Sequence, residues 1–411
     1  MSDRYFQHTF ENGLVLLGEK MPGMKSVAMT LLVPAGVSSD PAGRVGVSVV
    51  LSDLVLRGAG QRDSRALTDH LDYLGLQRSS TVGVYHTRFG AAGVGDKVLE
   101  ALPAYGDILL RPQLPDEGFD AAKDLSLQSL TGIDDDPRQK LLIKLREQYY
   151  PSPLGRNSMG IQGDIEALTV EETRKEHARR YVGSGAILAV AGDVDFDKYR
   201  LAVGKHLGQL RKSPVAELPR VSAAGGYKFE EQQSEQTHIG IAYPSIPETH
   251  ADYYTVRMAV EVLSGGMSGR LFTEVREKRG LCYSVWAGYS SLQGMGSITG
   301  YAGTSNERAQ ATLDCFVGEL HRLAEGVTEA ELARAKTGLK SSLVMSGEST
   351  SGRAGALAHD WFTRGRLRGL EEIKAAIDAV SVDGVNAYLK ANLPGPFTIV
   401  IVGPKPLKVP G

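Results

Sequence analysis

The order of elements along this chain runs twice, and that repeat constrains the fold more than any other feature of the sequence. The first half reads as strands over 5–11 and 14–18 around Asn12-Gly13, a strong hairpin signal. An alternating strand, Val27–Val33, comes next and stops at Pro34. After a loop comes an apolar helix, Val45–Arg57, closed by Gly58, then a short helix, Arg65–Tyr73, and two strands within 76–93. Helices are expected at Asp96–Leu110, Pro115–Thr131, Pro137–Tyr150 and Thr169–Tyr181, then a strand at Ala186–Gly192 and a helix at Asp195–Leu210. The second half begins again with strands at 227–232 and 237–243, a helix at Tyr253–Leu263, a helix–strand element from Arg270 to Tyr289 and a strand at 295–302. Five helices, Asn306–Ala324, Thr328–Met345, Thr350–Arg364, Leu370–Val380 and Val382–Leu393, lead from there to a last strand, Phe397–Val402. Such a repeat predicts a duplicated α/β unit of about two hundred residues. The expected domains are 1–211 and 227–411. Between them, 212–226 reads as a linker, because Pro, Ser, Ala and Gly crowd there without an apolar period.

Charge and cysteine content narrow the function classes. Lys+Arg numbers 46 against 48 Asp+Glu, so no basic footprint for nucleic acid or an anionic membrane is expected. The two cysteines, Cys282 and Cys315, make no disulfide framework and suit a reducing compartment. No stretch approaches the ~20 apolar residues of a membrane span, and MSDRYFQHTF lacks the charged start and apolar run of a signal peptide. The expected location is the cytoplasm.

The most informative stretch is Arg270–Tyr289, RLFTEVREKRGLCYSVWAGY, entered through Gly265-Gly266-Met267-Ser268-Gly269. Leu271, Phe272 and Val275 against Lys278 and Arg279 suggest an amphipathic helix that Gly280 stops, with a strand after it. Arg276 then sits late on the helix and Tyr283 early on the strand, close enough to face one space. A guanidinium and a phenol so placed are donors for a peptide carbonyl or an oxyanion. The alternative is structural: Arg276 paired with a neighbouring Glu, and Tyr283 half-buried in the core.

Other catalytic signatures are missing from the sequence. The nine histidines are spread so that no two lie within five residues, and no GxxxxGK[ST], strand-borne GxGxxG or GxSxG occurs.

Several blocks together resemble the insulinase-like zinc peptidases, the family of pitrilysin and the mitochondrial processing peptidase. They are the lead-in 34–43 with helix 46–58, Pro153-Leu154-Gly155-Arg156, Val190-Ala191-Gly192-Asp193, 265–272 with 276–284, and 348–353. The likeness implies an α+β fold. Its two similar α/β-roll domains, each an antiparallel-rich sheet with helices, would be related by a pseudo-twofold in a clam-like arrangement. In the family an inverted motif, His-x-x-Glu-His, holds zinc on the helix that matches 46–58, where i, i+3 and i+4 share a face. Here those positions are Val49, Ser52 and Asp53. The further Glu ligand of the family matches Ser129, with Asp124 a poorer alternative. Only Asp53 could ligate, so no metal site is expected in this chain. The family's Arg/Tyr pair, which holds the substrate backbone and supports the tetrahedral intermediate, maps onto Arg276 and Tyr283.

Some bacterial members divide the work between two chains, one with the zinc motif and one with the Arg/Tyr pair. The resemblance therefore implies a non-catalytic subunit of a heterodimeric zinc endopeptidase. This chain would be inactive alone and would bind peptide beside a homologous, zinc-bearing partner. The alternatives are a peptide-binding or assembly scaffold without catalysis, like core subunits of respiratory complexes, and an independent peptidase built on Asp53.

Overall fold

The computed structural model describes residues 4–214 and 225–410, which form two compact units. The first unit carries a six-stranded sheet. Its strands are β1 (Tyr5–Thr9), β2 (Val15–Lys20), β3 (Ser26–Val33), β4 (Gln77–Val82), β5 (Thr87–Val94) and β6 (Ile187–Gly192), in the order β1-β2-β6-β3-β5-β4. The second carries a five-stranded sheet of β7 (Gly226–Glu231), β8 (Gln236–Ser245), β9 (Ser284–Leu292), β10 (Met295–Ser305) and β11 (Thr398–Gly403), ordered β7-β11-β8-β10-β9. From β2 onward the two orders match strand for strand. In each, the last strand of the half inserts into the sheet, β6 between β2 and β3 and β11 between β7 and β8, and pairs parallel with one neighbour, β2 with β6 and β7 with β11, while the other pairs are antiparallel. The duplicated α+β unit read from the sequence is thus present as two similar sheets.

The inserted strands explain their own sequences. Both ILAVAG of β6 and TIVIVG of β11 are buried along their whole length, as continuous apolar runs in central strands should be. One face of each sheet rests on the main helical core of its unit. Six of the helices bear on the two candidate sites or lie against the sheets: α1 (Val47–Leu54), α2 (Asp116–Thr131), α3 (Pro137–Tyr149), α4 (Tyr253–Ser264), α5 (Glu329–Gly347) and α6 (Thr350–Arg364).

The helix on the opposite face of each sheet departs from the simple division at 211 and 227. In the first unit it is α6, from late in the chain, whose Leu357 and Ala358 pack with Leu17, Ile187 and Ala189. In the second it is α3, from the first half. There Leu141 and Leu145 approach so closely that a Cβ on Gly240 of β8 would lie 3.2–3.3 Å from them. Segment 133–155 therefore belongs with the second unit and 346–367 with the first. Helical periodicity reports which face of a helix is apolar and is silent on which sheet receives it, so periodicity alone favours a contiguous split. Of the linker 212–226, residues 215–224 lie outside the described residues.

Buried charge fastens α6 to its sheet. Glu19 on β2 is fully buried, and Arg353 Nε donates to its Oε2 at 2.7 Å while Arg4 Nη2 reaches Oε1 at 2.7 Å. Ser26 Oγ and Thr350 Oγ1 add a bond of 3.1 Å at the start of α6. Among the described residues no helix is long and apolar enough to cross a membrane.

Candidate functional site

In the second unit α4 ends in a turn that only glycine fits. The Gly265 N–H donates to the Glu261 carbonyl at 2.6 Å, and a Cβ there would come within 2.4 Å of that oxygen; Gly266 takes φ +107°. The chain then winds through Phe272–Lys278 as a π-helix rather than the α-helix that periodicity suggests. Segments of this winding are rare and recur at functional sites. Both ends are fastened. Arg270 gives Glu331 on α5 a two-pronged grip at 2.7 and 2.9 Å and caps the Gly326 carbonyl at 2.8 Å. That grip, with help from the Thr328 N–H and hydroxyl, holds the Glu331 carboxyl down at about 2. At the far end Gly280 turns left-handed, φ +58°. The Gly280 N–H reaches the Arg276 carbonyl at 3.0 Å, the single bond of an αL closure, and the Leu281 N–H that of Val275 at 2.9 Å. Hydroxyls of Thr304 and Thr312 then hold the Leu281 carbonyl.

This frame buries Leu271 and Val275 completely and turns Arg276 outward. The Arg276 guanidinium carbon lies 4.9 Å from the Phe272 ring centroid and 5.5 Å from that of Tyr283. Tyr283 is 77% exposed, so it is no core residue. It stands just ahead of β9 rather than within it, its N–H donating to the Gly303 carbonyl at 2.9 Å. The nearby carboxylate of Glu274 is taken by Lys278 and Arg279, both at 2.8 Å. Among the described residues no group accepts from Arg276, so it keeps five N–H donors beside the exposed Tyr283 phenol, a set suited to a carbonyl or carboxylate oxygen. Cys282 between them is buried, which pushes its thiol up to about 11, so it is no nucleophile at neutral pH. In the sequence Phe272 reads only as part of an apolar face. Its spacing of four from Arg276, a neighbour pair on a helix, is the signal that could mark it.

In the first unit α1 packs against α2, as the resemblance requires, but the donor set does not fit zinc. Val49 offers no donor atom. Ser52 is buried and its Oγ donates to the Val49 carbonyl at 2.8 Å. The Asp53 carboxylate is engaged by Arg57 one turn on. On α2 the Ser129 hydroxyl donates to the Leu125 carbonyl at 2.9 Å, and Asp124 is exposed. Among the described residues no three His, Cys, Asp or Glu side chains converge as metal ligands would.

Fold and sequence comparisons agree on the class. Residues 15–160 match the family described as Insulinase (Peptidase family M16), and 167–339 match Peptidase M16 inactive domain. An uncharacterized zinc protease of Mycobacterium tuberculosis is 26% identical over 404 residues, 96% of this chain and 92% of that one. The crystal structure of a peptidase M16 inactive domain from Pseudomonas fluorescens superposes with a TM-score of 0.90 at 23% identity, over 99% of this chain and all of that one. A chain of complex III from Candida albicans superposes with a TM-score of 0.83 at 19% identity, over 97% and 95%. The chain belongs to the insulinase-like peptidase family.

Proposed function

We propose that this chain is the non-catalytic subunit of a heterodimeric zinc metalloendopeptidase of the cytoplasm. In this reading a homologous partner supplies the metal and the general base, and this chain grips the peptide. The observation that carries the reading is a contrast within one molecule. Arg276 and Tyr283 stand exposed and adjacent, their donors uncommitted among the described residues, whereas the α1 face that would hold zinc bears Val49, Ser52 and an Asp53 engaged by Arg57. Arg276 would donate to the backbone carbonyl of an extended peptide. The Tyr283 hydroxyl would donate to the oxygen that gains charge as that peptide is cleaved.

Reconstitution tests this. The purified chain alone should hydrolyse no peptide, and activity should appear on mixing with a partner that carries His-x-x-Glu-His. Arg276→Ala or Tyr283→Phe should then lower kcat/KM about 100-fold, the usual result of removing one such donor. An unchanged rate in both variants would sink the proposal. A second reading, an assembly scaffold without catalysis, draws on the likeness in fold to the complex III chain. Stable association with a partner lacking the zinc motif, and no hydrolysis by that complex, would favour it.

A further inference from the structure

We propose that Phe272 is a positioning residue for Arg276, and that the π-wound segment exists to hold the pair in place. The inference rests on the reading of Arg276 as a peptide-gripping group and extends it to a residue with no donor of its own. An exposed arginine ordinarily samples many rotamers, and its fork of donors is useful only if the fork is aimed. Two neighbouring arginines are instead aimed by carboxylates, Arg279 by Glu274 and Arg322 by Glu319. A carboxylate would consume the donors it aligns. Over Arg276 two aromatic rings stand instead, Phe272 at 4.9 Å and Tyr283 at 5.5 Å. A ring attracts the guanidinium through its face and leaves the N–H edges free.

Three further observations make Phe272 the fixed member. It lies at the first residue of the π-helix, next to the buried Leu271, in a segment pinned by Arg270 at one end and by the Gly280 closure at the other. It is only half-buried and stands outside the apolar core of its unit, so packing alone does not account for a large ring there. Tyr283, by contrast, is 77% exposed and is itself assigned to the peptide, so it cannot serve as the support.

The test compares Phe272→Leu, Phe272→Trp and the parent chain by 15N relaxation at the Arg276 Nε–H, with the signal assigned through Arg276→Lys. Hydrolysis by the chain reconstituted with a zinc-bearing partner is measured alongside. Phe272→Leu should leave the melting temperature unchanged and drop the order parameter of that N–H below about 0.6. In the hydrolysis assay it should raise KM about five-fold at unchanged kcat. Phe272→Trp should restore both, and in an Arg276→Ala background Phe272→Leu should do nothing further. An order parameter that the Leu variant leaves unmoved overturns the proposal, as does a KM effect that persists without Arg276. If no partner yields activity, the reading of function fails, and the relaxation result still decides whether Phe272 holds Arg276.

Discussion

Replacing Arg353 by Met removes the cation that secures α6 while keeping most of its apolar volume. Glu19 would then be left fully buried with Arg4 as its remaining cation, and Arg4 has 43% of its side chain in solvent. Removing one member of a buried pair costs about 3–5 kcal/mol, because the survivor keeps its desolvation penalty. Arg4 still serves Oε1 through Nη2 at 2.7 Å and Nε at 3.0 Å, so the lower end applies, about 3 kcal/mol. At about 2–4 °C per kcal/mol for a unit of this size, the first unit should melt about 6–12 °C lower in a calorimetric scan. The double variant Glu19→Leu with Arg353→Met should recover most of that loss, since an apolar pair no longer carries a stranded charge. A fall of less than about 2 °C for Arg353→Met, or a double variant as damaged as the sum of the singles, would refute the assignment of α6's attachment to this pair.

Three more outcomes are expected. Glu331 is held at about 2 against an ordinary 4.5, so its stabilisation is complete above pH 4.5 and is lost as pH falls toward 2. Glu331→Gln should therefore cost about 1.5 kcal/mol at neutral pH, after allowance for solvent screening, and most of that cost should be gone by pH 2, as read from urea midpoints. Burial pushes His86 and His177 down to about 4, so both stay neutral in the fold while the unfolded chain takes protons from 6.5 downward. Stability should decline between pH 6.5 and 4, and His177→Asn should flatten part of that slope in pH-dependent melts. Finally, neither chelator nor added zinc should shift the melting temperature of the lone chain by more than about 1 °C. Near-stoichiometric zinc in the purified protein, or hydrolysis that a chelator abolishes, would overturn the account of Val49, Ser52 and Asp53.

Local chemistry is written plainly in the sequence. Asn12-Gly13 does turn the β1–β2 hairpin, with Gly13 at φ +87°, and Gly280 does end its helix in the left-handed region. The order of elements announces the duplication, because buried central strands such as Phe397–Val402 must be apolar throughout. Three features are not legible there, each for a reason. The winding of Phe272–Lys278 differs from α by one residue in each hydrogen-bonded ring, and the same apolar positions satisfy either. Beyond the spacing of four that hints at the Phe272–Arg276 contact, the placing of that pair beside Tyr283 depends on this winding and on a second element. The exchange of α3 and α6 is a matter of which sheet offers a complementary surface, such as the bare backbone at Gly240, and no stretch of local sequence records it.

That exchange bears on how the chain could ever be divided. A polypeptide ending near residue 211 would have six strands with nothing to shield their outer face, and would carry in α3 a cover shaped for a sheet it lacks. Its complement would be stranded in the mirror-image predicament, with α6 as its surplus piece. Two separately expressed halves should therefore be insoluble alone and rescue one another when produced together, so the smallest viable version of this protein is both copies of its repeat at once.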